Sequence, residues 1–370
     1  MSRIVIAPDS FKGTIDAADA AAALARGWAS ERPADETVLR PMADGGEGTL
    51  DAFEASVPGA ERLVVTVSGP VDGAPEVETS WVRLPDGTGV VELAATSGLA
   101  LVDPLRPLDA HTAGFGEAIA AALDAGVTRL LLGLGGSASS DGGIGALSVL
   151  GARFLDASGG PIAHGNRGLA DLLDVQLDDL RTRPPLGVLI VGDVTNPLLG
   201  EYGAAAVFGP QKGADAETVD IIETNLARLA RLMPEGGPLA GAAGAGAAGG
   251  AGFGLLAWGA EMGAGAKLVA DAVGLADAVA GADLVITGEG RFDGQSEAGK
   301  APTEVARIAR EAGVPVALAA GAITAETAAY VASVSLSDLA GGGAEAMADP
   351  ARWLEEAGRV LARIAVPLVE

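Results

Sequence analysis

Cysteine is absent from this 370-residue chain, so disulfides, thiolate zinc sites and a cysteine nucleophile are all excluded. Histidine is scarce. His111 and His164 lie far apart in sequence, and each is expected to be structural or exposed, with no histidine metal cluster. Positive charge is also short: 24 Lys and Arg face 49 Asp and Glu, a net charge of −25 that argues against nucleic acid or an anionic membrane as partner. A small anionic substrate stays open, because a few local cations suffice for a positive pocket. The uncharged stretch from Gly236 to Ala260 is mostly Gly and Ala, with little of the Leu, Ile, Val and Phe that favour insertion, so no membrane span is predicted. The opening residues, MSRIVIAPDS, read as a strand entering a loop without the apolar core of a signal peptide, and a cytoplasmic protein is expected.

Lysine is also rare, at positions 12, 212, 267 and 300 only, against twenty arginines. Lys12, Lys212 and Lys300 sit in the glycine-flanked turns SFKG, PQKG and EAGK. A chain that uses arginine for nearly every other cation keeps a compact, movable point charge at these places, as contacts to phosphate or carboxylate groups require.

What is present is ample apolar material. Hydrophobic residues make up 49% and charged residues 20%, enough to bury a sizeable core in two domains or in one with an insertion. The strand RIVIA empties into PDSFKGT, which puts Ser10 and Lys12 at its carboxyl end, and Asp16 reads as the N-cap of the following helix. A second strand, TVLRPM, leads into ADGGEGT, where Asp44 and Glu47 flank paired glycines ahead of another helix. Two strand–turn–helix units in 50 residues are a doubly wound beginning. The pattern then changes to short strands, ERLVVTVSGP, VETSWVRL and GVVELA, with PDG at 85–87 as a turn signal, which predicts an antiparallel insertion. Winding resumes near residue 284. The predicted fold is α/β: a Rossmann-like doubly wound domain built from both chain ends (1–64 and 281–370), carrying an inserted α/β domain of mixed or antiparallel sheet (65–280). An active site in a cleft between the two would collect the polar turns of both.

Those turns carry the chemistry. In DLVITGEGRFDGQSEAGKAP, residues 283–302, an apolar strand runs into Glu289, Arg291, Asp293, Ser296 and Lys300 among glycines. The carboxyl edge of a parallel sheet is where open α/β folds bind ligands. Gly294 to Lys300 has P-loop spacing, but Ala301 stands where the Mg²⁺-binding hydroxyl belongs, so it is not read as one. The strand RLLLGLG feeds GLGGSASSDGG, in which Gly135, Gly136 and Ser137 can form an anion nest at a helix N-terminus. LGVLIVGDVTNPLLG delivers Asp193 and Asn196, a carboxylate and an amide suited to Mg²⁺ or a substrate hydroxyl. VFGPQKG adds Gln211 and Lys212, and the glycine–alanine run 241–254 reads as a tightly packed turn entering a helix. Lysines, carboxylates and glycine turns together suit phosphoryl transfer, which needs positioning and charge neutralisation more than covalent chemistry.

APDSFKG, ADGGEGT, GLGGSASSDGG, DVTNPLLG, FGPQKGA, GAGAAGG and ITGEGRFDGQS with GKAP, in this order over residues 4 to 302, resemble the bacterial glycerate kinase family that forms 2-phosphoglycerate. The resemblance implies phosphorylation of D-glycerate with ATP and Mg²⁺, on a two-domain α/β enzyme. It implies Lys12, Lys212 and Lys300 as phosphate or carboxylate contacts, and Asp44, Asp193, Glu289 and Asp293 as the carboxylates for Mg²⁺ and the general base. Asp193 is the expected base, with Lys12, Asp44 and Lys300 as further catalytic residues and Asp193, Glu289 and Asp293 as the metal set. Ser10, Glu47, Asn196, Gln211, Arg291 and Ser296 join the glycine nest and Ser137 as binding residues. The chain departs from the family where Ser139 and Ser140 replace a Thr–Asn pair, and where Ala298 replaces a common His. A kinase for a related hydroxy acid, or a non-catalytic binding protein on the same scaffold, stay as alternatives. Oligomeric state is not readable.

Overall fold

The computed structural model of the protein describes residues 1–11, 13–293 and 301–365. Lys12, Ser296 and Lys300, three of the expected site residues, lie outside them. In chain order the strands are β1 (Arg3–Pro8), β2 (Glu36–Leu39), β3 (Glu61–Val67), β4 (Val77–Arg83), β5 (Thr88–Glu92) and β6 (Arg129–Gly133). They continue as β7 (Arg153–Leu155), β8 (Asp174–Gln176), β9 (Val188–Val191), β10 (Glu261–Gly263), β11 (Leu284–Phe292), β12 (Val316–Ile323) and β13 (Ala332–Ser335). The chain divides into two compact units: residues 1–44, 48–58 and 264–370 form one, and residues 45–47 and 59–263 the other.

The first unit holds a five-stranded sheet in the order β13-β12-β11-β1-β2, every pairing parallel. Counted along the chain within the unit, that order is 2-1-3-4-5, and it reverses between β1 and β11. Ligands of doubly wound sheets bind outside the carboxyl ends of strands at such a switch point. The apolar runs IVIA and LVI are buried on both faces, as a covered parallel sheet demands: Ile4, Ile6, Leu284 and Ile286 are fully enclosed. On one face, helix Ala17–Glu31, capped by an Asp16 carboxylate that accepts from the Asp19 amide at 2.8 Å, packs against helix Pro350–Ile364. Two glycines let these helices approach: a Cβ at Gly27 would strike the Glu355 carbonyl, and one at Gly358 the Leu24 carbonyl. Trp28, Leu24, Leu354 and Leu361 fill the seam at zero exposure, each contributing about 1.5–3 kcal/mol of burial.

The second unit holds a six-stranded mixed sheet in the order β10-β9-β6-β5-β4-β3. β10, β9, β6 and β5 are parallel, and the antiparallel meander β5-β4-β3 supplies the other edge. Its core gathers Trp81, Leu93, Phe115, Ile119, Leu130, Leu132, Ile190 and Phe253. The borders of the units differ from those expected, residues 64/65 and 280/281. β3 pairs with β4 along its whole length, Glu61 opposite Arg83 through Val67 opposite Val77, so a border inside it would split a hairpin. Helices Gly265–Ala272 and Leu275–Val279 pack on helix Ala301–Glu311 of the first unit, which carries residues 264–280 with it. Among the described residues no helix is long and apolar enough to cross a membrane.

Candidate active site

In the first unit, the carboxyl ends of β1, β11 and β12 open on a pocket of about 510 Å³ lined by Asp9, Ser10, Asp44, Glu289, Arg291 and Asp293, with Gly321 and Ala322 from β12. β1 delivers Asp9 and Ser10 because it stays paired to β11 up to Pro8 opposite Gly288, and the Asp9 amide then donates to the Gly288 carbonyl at 2.8 Å. The Asp9 side chain turns back to accept from the Ser10 amide at 2.7 Å and is only 5% exposed. Gly288 packs its bare Cα against the Ala319 carbonyl, which lets β11 run on to Glu289 beside β12. Glu289 is 7% exposed, and its charge, added to burial, pushes the nearby Tyr330 hydroxyl up to about 12, with burial the larger cause. Arg291 and Asp293 sit at the rim, Nε and Oδ2 3.5 Å apart. Phe11, Leu336, Met347 and Pro350 form an apolar wall. Expected residues Ser10, Asp44, Glu289, Arg291 and Asp293 are thus brought together, and Asp9 joins them without having been singled out. It stood one residue before Ser10 in PDSFKG, but its burial comes from the β1–β11 pairing, which no local spacing shows.

In the second unit, the carboxyl ends of β6 and β9 carry the other polar turns. The glycines of ADGGEGT lie on them: the Gly135 amide donates to the Gly45 carbonyl at 3.0 Å, and a Cβ at Gly45 (φ +89) would strike the Val191 carbonyl. The Gly135 N–H is therefore engaged by backbone in this structure, and Glu47 is exposed. Ser137 is buried, with its Oγ 2.9 Å from Ser139 Oγ and accepting the Ser139 amide at 3.1 Å. Asp193, half-buried, follows β9, and the Asn196 side chain donates to the Tyr202 carbonyl at 2.7 Å, which shapes the turn. Gln211 is exposed.

Two buried charges organise this region. Asp141, at zero exposure, accepts from the Thr112 amide and hydroxyl, both at 2.9 Å, from the Gly143 amide at 3.0 Å and from the Gly145 amide at 3.2 Å. Its carboxylate closes the start of helix Ile144–Val149, and the Thr112 hydroxyl in turn accepts the Ala146 amide at 2.9 Å. Lys212, 2% exposed, donates its Nζ to the Ser139 carbonyl. Burial pulls its pKa down to about 7, against the opposing pull of Asp141. The glycine–alanine run covers it: Ala248, Gly249 and Gly250 take left-handed backbone angles inside helix Ala247–Trp258, and a Cβ at Gly249 would lie 2.8 Å from Lys212 Nζ. The Gly142 amide donates to the Gly249 carbonyl at 3.1 Å. Asp141 was visible in SASSDGG, but two of its four donors come from Thr112, which only folding brings to its loop.

His111 is buried and His164 exposed, and although far apart in sequence they meet: their ring centroids are 4.6 Å apart, and both face Asp72. Turns distant in sequence pack together here, because the His111 amide donates to the Pro70 carbonyl at 2.8 Å and the Arg167 amide to the Leu108 carbonyl at 2.9 Å.

A doubly wound unit whose switch-point pocket is lined by carboxylates, with a second unit of glycine-rich turns, is an arrangement compatible with a phosphotransferase. The model of the glycerate kinase family matches residues 4–366, and the chain belongs to that family. It is 41% identical over 333 residues to glycerate kinase of Bacillus subtilis, covering 88% of this chain and 86% of the relative. It is 42% identical over 329 residues to glycerate 2-kinase of Escherichia coli K12, covering 87% and 86%. A crystal structure of a Salmonella typhimurium LT2 protein assigned as glycerate kinase 2 superposes with a TM-score of 0.82 at 38% identity, over 98% of this chain and 97% of that one. The protein is a kinase, with a small-molecule acceptor and a nucleotide donor.

Proposed function

We propose that the protein transfers the γ-phosphoryl group of ATP to D-glycerate, forming 2-phosphoglycerate, with Mg²⁺ as the metal. The observation that carries this reading is the convergence of Asp9, Asp44, Glu289 and Asp293 on one pocket at the switch point of the first sheet, with Arg291 at its rim. The charged donors there are carboxylates, joined by the hydroxyls of Ser10, Thr14 and Ser337 and, among the described residues, by no imidazole, and they suit a hard, oxygen-seeking cation. Glu289 and Asp293 would hold it; when bound, the metal neutralises charge on the phosphate oxygens. Arg291 supplies a fixed cation for the same oxygens.

Asp193 receives the proton of the attacking hydroxyl, on a turn that Asn196 holds in shape. Lys12 and Lys300 contact phosphate in this proposal, and Ser296 and Gln211 assist binding. Ser137 and Gly136 shape the turn beyond β6, with Lys212 anchoring its Ser139 carbonyl from behind. Asp193 and the metal-binding carboxylates belong to different units, so the proposal requires both units to act on one substrate pair. The expected location is the cytoplasm, where ATP is available.

The test is ³¹P NMR of the purified protein with MgATP and D-glycerate, against a control without glycerate. A new phosphomonoester resonance matching 2-phosphoglycerate is expected. A 3-phosphoglycerate resonance would overturn the regiochemistry, and ATP consumed only with another hydroxy acid would overturn the substrate.

A further inference from the structure

We propose that Asp72, His111 and His164 form a transition-metal site of zinc class, separate from the carboxylate pocket, that ties two surface turns of the second unit to the start of helix Ala113–Asp124. The three ligand atoms, one from each residue, lie within 4.8 Å of one another. Asp72 Oδ1 is 3.6 Å from His111 Nε2 and 2.7 Å from His164 Nδ1. A tetrahedral zinc with bonds of about 2.0–2.1 Å sets its ligands about 3.3 Å apart, a spacing that the Asp72–His111 pair already approaches. The Asp72–His164 pair must part by less than about 1 Å, and both side chains are exposed enough to move, at 68% and 44%.

His111 is the second, independent observation. Its ring is 2% exposed, and its buried Nε2 makes no hydrogen bond while aiming at the Asp72 carboxylate. A buried polar atom normally has a partner. A metal ion at the centre of the trio would provide one. The other ring nitrogen, Nδ1, receives only a 3.4 Å contact from the Ala113 amide, which metallation through Nε2 exchanges for a metal–nitrogen bond.

The frame is built as well. The His111 amide holds Pro70, and the 163–168 turn is held to the 106–111 turn by Arg167, whose Nε lies 2.7 Å from Asp109 Oδ1. Two imidazoles with one carboxylate select zinc or a neighbouring divalent metal over magnesium, which prefers oxygen throughout. Three protein ligands leave a fourth position for water on the exposed side. Thr112 follows His111 and feeds the Asp141 network, so occupancy stiffens the turn that carries Ser139 and Ser140.

The test uses the full chain, stripped with chelator, returned to saturating Mg²⁺ and dialysed against micromolar Zn²⁺, with metal content and thermal unfolding measured. One zinc per chain and a raised Tm are expected for the native protein. His164→Ala and Asp72→Asn, both at exposed positions that leave the core intact, are expected to weaken binding by more than about 100-fold and to abolish the Tm rise, since even outer-shell partners are worth 10–100-fold. Glu289→Gln is expected to keep its zinc. No zinc on the native chain, or zinc retained by both trio variants and lost in Glu289→Gln, would overturn the proposal.

Discussion

Lys212 sits in surroundings far from those usual for its type. Its ammonium is buried, and the folded state holds its pKa near 7 instead of the ordinary 10.5. Between those values the unfolded chain binds a proton that the folded chain releases, so stability rises with pH across pH 7 to 10.5; below about 7 the penalty for the buried charge is complete. Lys212→Met keeps the volume and removes the charge. Urea unfolding at pH 7 and pH 9 is expected to show the native protein gaining stability, by up to about 1.4 kcal/mol per pH unit, with the variant losing that slope. An identical slope in the variant would remove Lys212 as its source. The proposed roles of two carboxylates separate in the same way. Asp193→Asn is expected to lower kcat by about 10²–10⁴ with the Mg²⁺ requirement unchanged, as loss of a proton acceptor should. Glu289→Gln is expected to raise the Mg²⁺ concentration for half-maximal rate at least tenfold. Normal turnover in the first, or an unmoved Mg²⁺ curve in the second, would reassign them.

At the scale of elements, the seam between helices Ala17–Glu31 and Pro350–Ile364 decides whether the first unit closes. Gly27 and Gly358 sit where any Cβ would meet backbone of the opposite helix, and backbone cannot rotate away as a side chain can. Overpacking of this kind costs about 1–3 kcal/mol. Gly358→Ala is therefore expected to lower the urea midpoint despite alanine's better helix propensity, which alone would favour the variant by about 0.8–1 kcal/mol. A midpoint that rises would show that the seam relaxes. Sequence patterning showed the first of the two helices, with Asp16 as its cap, because capping is a local fact. Their pairing is not local, because it joins the first 31 residues to the last 21.

For the whole molecule, a net charge of −25 means that the compact state works against its own repulsion. The Debye length falls from about 30 Å at 0.01 M salt to about 10 Å at 0.1 M. The Tm is expected to rise by a few degrees from 10 to 200 mM NaCl in calorimetry. A Tm that falls would mean that ion pairs such as Arg307 with Glu304 and Glu311 outweigh the general repulsion.

The sequence by itself determined what local chemistry can determine. Apolar runs ending in polar turns marked where β1, β6 and β9 stop, and so which residues stand at a sheet's carboxyl edge, whereas β11 runs on through Glu289 and Arg291 to Phe292 because it stays paired with β12; the antiparallel insertion followed from short strands with turn signals. The motif order identified the family. Tertiary structure alone decided which of these turns share a pocket. Asp9 became a site residue through the pairing of β1 with a strand some 280 positions later. Asp141 took donors from Thr112 and its own loop, and His111, His164 and Asp72 met although 92 residues separate the outermost pair. Strand ends are set by side chains within a few residues, whereas burial and neighbours of a charge are set by segments that meet only when the chain folds.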